Sequence, residues 1–273
     1  MVKGFSLAGF LGLSILASSV AAAPVYSFAV VPQQSPSKTA KIWGPILQHI
    51  WEQSGIQLVL QSEQDIPAFE HQLRLGKADF AYMNPYHFTV FHETQDYQAL
   101  AKAKDHLLQG IIVVRTDSPF HSLQDLEGHI LAFPSPGAFA ASILPRAYMK
   151  QQGISIHPEY VSSHDSVYLN VAKGRYPAGG GVLRTLDNFH MPQRKELKIL
   201  WRTEQYTPHA IATHPRVPLD VSAAVQQSLL ALHQSPAGRT LLEAMKIPGF
   251  EAASNTDWDE VRTLGIRALE DNQ

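Results

Sequence analysis

Apolar positions along the chain switch between a period of two and a period near 3.6. Residues 26–31 alternate and end β-branched, which predicts a first strand. Between 39 and 53, Ile42, Ile46, Leu47 and Ile50 recur three and four apart, the spacing of one helix face, and Gly55 ends the run. Residues 57–60 predict a second strand. Residues 66–75 predict a second helix, with Phe69, Leu73 and Leu75 apolar and Gly76 as its stop. Phe80, Ala81, Tyr82 and Met83 form a short wholly apolar segment, the pattern of a buried strand. Strands and helices alternating this closely predict a parallel sheet with helices on its faces.

The same alternation continues. Strands are predicted at 99–102, 107–115, 129–133, 156–161 and 197–201, the last returning the chain to where it began. Helices are predicted at 144–151, from about 163 to Gly174, and at 220–234, 236–245 and 258–269, with Asp220 and Ser235 as N-caps. No internal repeat or low-complexity tract interrupts the pattern.

Several strands empty into polar turns at a helix start, which is where open α/β sheets place ligands. The first turn carries Gln33, Gln34, Ser35 and Lys38. The next carries Asn84, Pro85, Tyr86 and His87, and reads equally as an ordinary strand-to-helix turn. The third runs from Pro134 through Ser135 and Phe139 to Ser142, and the fourth from Ser162 through His164 to Val167. Ser163 and Asp165 also suit simple capping. Gly179, Gly180 and Gly181 allow a ligand close to the backbone or a hinge, and lack the pattern of a nucleotide loop. Arg184 reads equally as an anion partner or a surface arginine, and Lys38 as a solvated lysine.

Composition narrows the function classes. Of the 273 residues, 45% are hydrophobic and 17% charged, enough for a large core. A net charge of -2 gives no electrostatic case for nucleic acid or a membrane surface. With no cysteine, disulfides, thiolate sites and a lipid-modified cysteine are excluded. Lys3, an apolar run over 5–20 and Ala21, Ala22 and Ala23 read as a cleavable leader, with the cut after Ala22; an uncleaved anchor is the alternative. The boundary is set as 1–23, and the mature protein is expected in the periplasm, without a lipid anchor. There are 13 histidines, yet His87 and His92, like His209 and His214, stand five apart rather than four. No GxSxG or HExxH motif occurs, so no catalytic residue, metal or cofactor is expected.

The stretch from Gly76 through Asp79 to Asn84, Pro85 and Tyr86 resembles a signature of phosphate/phosphite/phosphonate-type periplasmic solute-binding proteins of ABC importers. Further resemblances lie at Trp43-Gly44-Pro45, 112–118, 122–128 and 204–212, and from His164 through Val167 and Val171 to Gly174. The resemblance implies a two-lobed α/β fold, each lobe a mixed, mostly parallel sheet flanked by helices, with the ligand cleft between lobes. Lobe 1 is expected over 24–106 plus 202–273, and lobe 2 over 107–201. The implied function is capture of a small anion, phosphonate- or phosphate-like, for an ABC permease. Alternatives are a partner of a membrane sensor, or a binder of an organic ligand without phosphorus. A monomer that is not an enzyme and binds no nucleic acid is expected. The expected ligand-binding residues are Gln34, Asn84, Tyr86, Ser135, Phe139, Ser142, His164 and Gly180. In the family the third turn carries a hydroxyl cluster that holds phosphonate oxygens; here Ala138, Phe139, Ala140 and Ala141 stand in its place.

Overall fold

The computed structural model describes Met1 and residues 24–269. The leader read from the sequence lies, Met1 aside, outside the described residues. The chain opens with β1 (Val25–Val30), α1 (Pro36–Ser54), β2 (Gln57–Ser62), α2 (Ile66–Arg74), β3 (Phe80–Met83), α3 (Pro85–Gln95) and β4 (Gln98–Ala103). It then builds a second body from β5 (Leu108–Arg115), β6 (Ile130–Phe133), α4 (Leu144–Gln151), β7 (His157–Tyr160), α5 (His164–Ala172), β8 (Ala178–Val182), α6 (Leu183–Asp187) and β9 (Leu197–Tyr206). It returns through β10 (Ala210–Thr213), α7 (Leu219–Ala231), α8 (Pro236–Met245), β11 (Phe250–Ala252) and α9 (Asp259–Arg262).

Two sheets result, in the orders β11-β4-β10-β3-β1-β2 and β7-β6-β8-β5-β9. Both are mixed. β1 lies parallel to β2 and β3, and β6 parallel to β7 and β8. The strands at the crossings run antiparallel: β10 against β3 and β4, and β5 against β8 and β9. The parallel share is therefore smaller than the alternating pattern predicted, because the returning strands enter from the opposite end.

β5 shows why its sequence reads as one apolar run. Ile111 and Val113 pack on the α5 side, with Val167 and Val171. Ile112 and Val114 pack on the other, with Leu131 and Met149. Covered on both faces, β5 buries Gly110 to Val114 without a break, at roughly 1.5–3 kcal/mol for each large aliphatic side chain.

Three expectations are corrected. The strand predicted over 197–201 runs on to Tyr206, which pairs with Leu108, so the second crossing falls at 207–209. The helix predicted over 258–269 is the four-residue α9, because the chain turns away at Gly265 with φ +58. Asp220 lies in the first turn of α7 behind Pro218 at the cap, whereas Ser235 does cap α8, accepting from the Gly238 N–H. β11 was not read from the sequence; three residues give too few alternations to register a period.

Candidate functional site

The two bodies meet at the starts of four helices. Asn84 ends β3 and caps α3: its Oδ1 accepts the His87 N–H at 2.8 Å. That leaves its Nδ2 free to cross the seam and donate to the Gly137 carbonyl at 3.1 Å. Beneath this contact His87 Nε2 lies 2.9 Å from Glu70 Oε1, both side chains buried. A Cβ at Gly137 would come within 2.1 Å of Glu70 Oε1, so any larger residue there would displace the buried carboxylate from His87.

The second lobe begins its helix differently. Ahead of α4 stands one π-helical turn, Phe139–Ile143, and Ala138 at its start supplies no side-chain cap. Ser142 and Ile143 both donate to the Ala138 carbonyl. The N–H groups of Phe139, Ala140 and Ala141 have no acceptor among the described residues. The turn sits low on the sheet because two glycines make room. Cβ atoms at Gly110 and Gly180 would fall 2.0 Å from the Ala140 oxygen and 1.9 Å from the Ala141 oxygen. Ser142 Oγ, fully buried, and Ser135 Oγ, nearly so, also have no partner.

Between these starts lies a narrow gap of about 10 Å³, lined by Gln33, Asn84, Ala138 to Ala141, His164 and His209 among others. That is about the room of one water. The His164 N–H donates across the seam to the Gln33 carbonyl at 2.9 Å. Its Nδ1 is 3.0 Å from Thr185 Oγ1. Burial, and after it the charge of Arg184, pushes the His164 imidazole down to about 3, so the ring is neutral at pH 7. His209 lies flat on Tyr82, centroids 5.0 Å apart, with its Nε2 unpartnered. Burial, then Arg184 and neighbouring histidines, holds His209 well below its ordinary value. Arg184 itself reaches over the seam, donating to Gln33 Oε1 at 3.0 Å and to the Tyr82 hydroxyl at 3.3 Å. Lys38 and Asp165 pair across it at 2.9 Å. Among the described residues no three His, Asp or Glu side chains gather as a metal site.

The sequence-predicted residues separate by position. Asn84, Phe139 and His164 line the gap. Ser135 and Ser142 flank the turn that forms its floor. Gln34 is buried beside Arg184 and Tyr82 with its Nε2 unpartnered. Tyr86 is not brought to the gap: it is buried in the first-lobe core, and its hydroxyl accepts the Leu269 N–H at 3.0 Å. At Gly180 the close neighbour is the protein's own Ala141 carbonyl. Lys38 is an interlobe ion-pair partner rather than a solvated lysine. The sequence left Arg184 open between anion partner and surface arginine, and did not select His209, Glu70 or His87 for the site. Of those three, only Pro208-His209 just before β10 carried a signal, through the loop resembling a cleft-side segment.

Two bodies joined by two crossings, with a polar seam at converging helix starts, form a binding-protein architecture. The family described as the ABC transporter phosphonate periplasmic substrate-binding proteins matches residues 28–258. This chain belongs to that family. Membership makes it a solute-binding protein that delivers its ligand to an ABC importer, in a transport family of the periplasm rather than an enzyme family. Among solved structures, a phosphonate-transporter binding protein from Pseudomonas aeruginosa superposes with a TM-score of 0.82 at 15% identity, over 90% of this chain and 86% of that one. PhnD1 from Prochlorococcus marinus, solved with methylphosphonate, gives 0.82 at 15%, over 90% and 98%. A Xanthomonas citri protein, solved with ATP, gives 0.71 at 18%, over 91% and 99%. At these identities the likeness establishes the fold, two-lobed and α/β.

Proposed function

We propose that the seam takes a small phosphonate-type oxyanion and that the loaded protein docks, as a monomer, on the membrane permease of an ABC importer. One observation carries the ligand class: three successive N–H groups, at Phe139, Ala140 and Ala141 on the wall of the gap, have no acceptor among the described residues. Donors at a helix start favour negative charge. His164 and His209 on the facing walls and Ser142 beside the turn add polar atoms suited to oxygens. Backbone N–H groups stand in for the hydroxyl cluster that this sequence lacks at 138–141. PhnD1 from Prochlorococcus marinus, of the same fold, was solved with methylphosphonate. A gap of about 10 Å³ cannot admit such a head, so the two lobes, the second now reaching Tyr206 rather than the expected 201, part before binding and close after it. The reading takes the protein as exported, its leader removed after Ala22, with no lipid anchor.

Titration calorimetry of the mature chain with methylphosphonate, phosphite and phosphate tests this. Binding of at least one is expected. Ala138→Asp, which places a carboxylate where the donors converge, should weaken it about 10- to 100-fold, the worth of a charge-assisted hydrogen bond. Heat or thermal stabilisation only from aromatic or other organic acids would sink the oxyanion reading.

A further inference from the structure

Arg184 is half-buried at the seam, yet no carboxylate pairs with it among the described residues. Its two acceptors, the Gln33 amide oxygen and the Tyr82 hydroxyl, are neutral. A guanidinium drawn partly out of water normally finds an anion, because neutral acceptors only partly replace its hydration. Arg184 also lines a separate crevice of about 80 Å³ at the hinge end of the seam, with His106, Leu107, Leu108, Gln109, Leu183, Asp187 and Lys246. Three of those side chains are basic types, and Asp187, exposed, is the lone acid. The crevice gathers both lobes: Lys246 caps the end of α8 of the first, His106 belongs to the crossing, and Leu108 of β5 and Arg184 and Asp187 of α6 belong to the second.

The crevice adjoins the oxyanion gap. Leu108 lines both, and Gln33, which lines the gap, is the residue that Arg184 grips. Burial and then the Arg184 charge lower the His106 pKa, so the cation and the imidazole work against each other until a negative group lies between them.

We propose that Arg184, with His106 and Lys246, forms a second anionic subsite at the hinge end of the cleft, so that the preferred ligand carries a carboxylate or a second phosphoryl group beyond its phosphonate head. The proposal rests on the oxyanion reading above and refines its substrate class to short diacidic phosphonates. Arg184 supplies a planar fork matched to a carboxylate, and Lys246 a mobile point charge at the rim.

Calorimetry with 3-phosphonopropionate against propylphosphonate, similar in length and lacking the carboxylate, tests it, with phosphonoacetate and 4-phosphonobutyrate varying the spacer. The best diacid should bind at least about tenfold tighter than its monoacid counterpart, and Arg184→Gln should erase that ratio. Lys246→Gln, at an exposed position, should reduce the ratio in part and guards against misfolding of the Arg184 variant. Equal affinity for monoacids and diacids, or a preference that survives Arg184→Gln, overturns the subsite while leaving the oxyanion reading intact. Failure of every phosphonate to bind overturns both.

Discussion

At Asn84 the first lobe starts a helix with a side-chain cap, and at Ala138 the second lobe starts one without. Asn84 spends its oxygen on the His87 N–H and its amide on the Gly137 carbonyl, so α3 arrives at the seam with a donor satisfied and a bridge made. Ala138 offers nothing, and Phe139, Ala140 and Ala141 keep free N–H groups on a wall sealed by alanine methyls. The contrast assigns different work to the two walls. The first stabilises closure by a fixed interlobe hydrogen bond. The second holds donors in reserve and leaves its helix start unsatisfied until an anion arrives, a local cost that ligand binding reverses.

The largest effect on this contrast should come from Gly180→Ala. The new methyl carbon would stand 1.9 Å from the Ala141 oxygen, so the π-helical turn must lift off β8 or the strand must bend. Overpacking of this kind costs about 1–3 kcal/mol. Chemical denaturation should show that loss, and calorimetry should show anion binding lost with it, because the three donors move together. Native stability together with native affinity would mean that the turn is not seated by the glycine.

Much of the first wall was legible in the sequence, and little of the second. Asn84-Pro85 after a four-residue apolar run marks a strand end and a coming helix by local chemistry alone, and the structure places both there, with Asn84 as the cap, a role the pattern did not assign it. The run Ala138-Phe139-Ala140-Ala141-Ser142 reads as the end of a polar turn ahead of a helix from 144, whereas Phe139–Ile143 is already a π-helical turn, which nothing local in the sequence announces. What fixes it lies at Gly110 and Gly180, distant in sequence. Gly179, Gly180 and Gly181 did signal a close approach, but not of what: Val167 and Tyr168 of α5 press on the first and third, the Ala141 carbonyl on the second. Arg184 was legible only as an open choice between anion partner and surface residue, and His209 not at all. Arg184 acquires its role from Gln33 and Tyr82 on the other lobe, and His209 from its stack on Tyr82, and no periodicity encodes either pairing.

Asn84→Ala tests the capped wall. Loss of the cap should cost about 1 kcal/mol in denaturation, within the usual range for caps. The seam also loses its Asn84–Gly137 hydrogen bond, so the ligand off-rate should rise by a few-fold, on the order of one neutral hydrogen bond or less. A binding loss as deep as that from Ala138→Asp would place the ligand's main contacts on the first wall and reverse the comparison.

The smallest expected effect is in pH dependence, and its sign separates the empty seam from the filled one. Burial, then Arg184, lowers the His164 pKa to about 3 in the folded chain, against an ordinary value of 6.5. The unfolded chain therefore takes up the proton first as pH falls. The stability that neutral His164 contributes is complete above 6.5 and drains away as pH falls towards about 3. His209 is shifted the same way, by burial first. An anion seated against the uncapped turn acts oppositely, since a negative neighbour favours the imidazolium. Binding should then take up protons, and affinity should rise modestly from about pH 7 to about pH 5, where free carboxylates are still ionised. Calorimetry in two buffers of different ionisation heat gives the proton count, and subtracting the ligand's own second ionisation, which for phosphate groups lies at about pH 6, leaves the share of the histidines. Proton uptake would place the charge beside the histidines, whereas proton release, or affinity falling with acid, would move the ligand's charge away from His164 and His209.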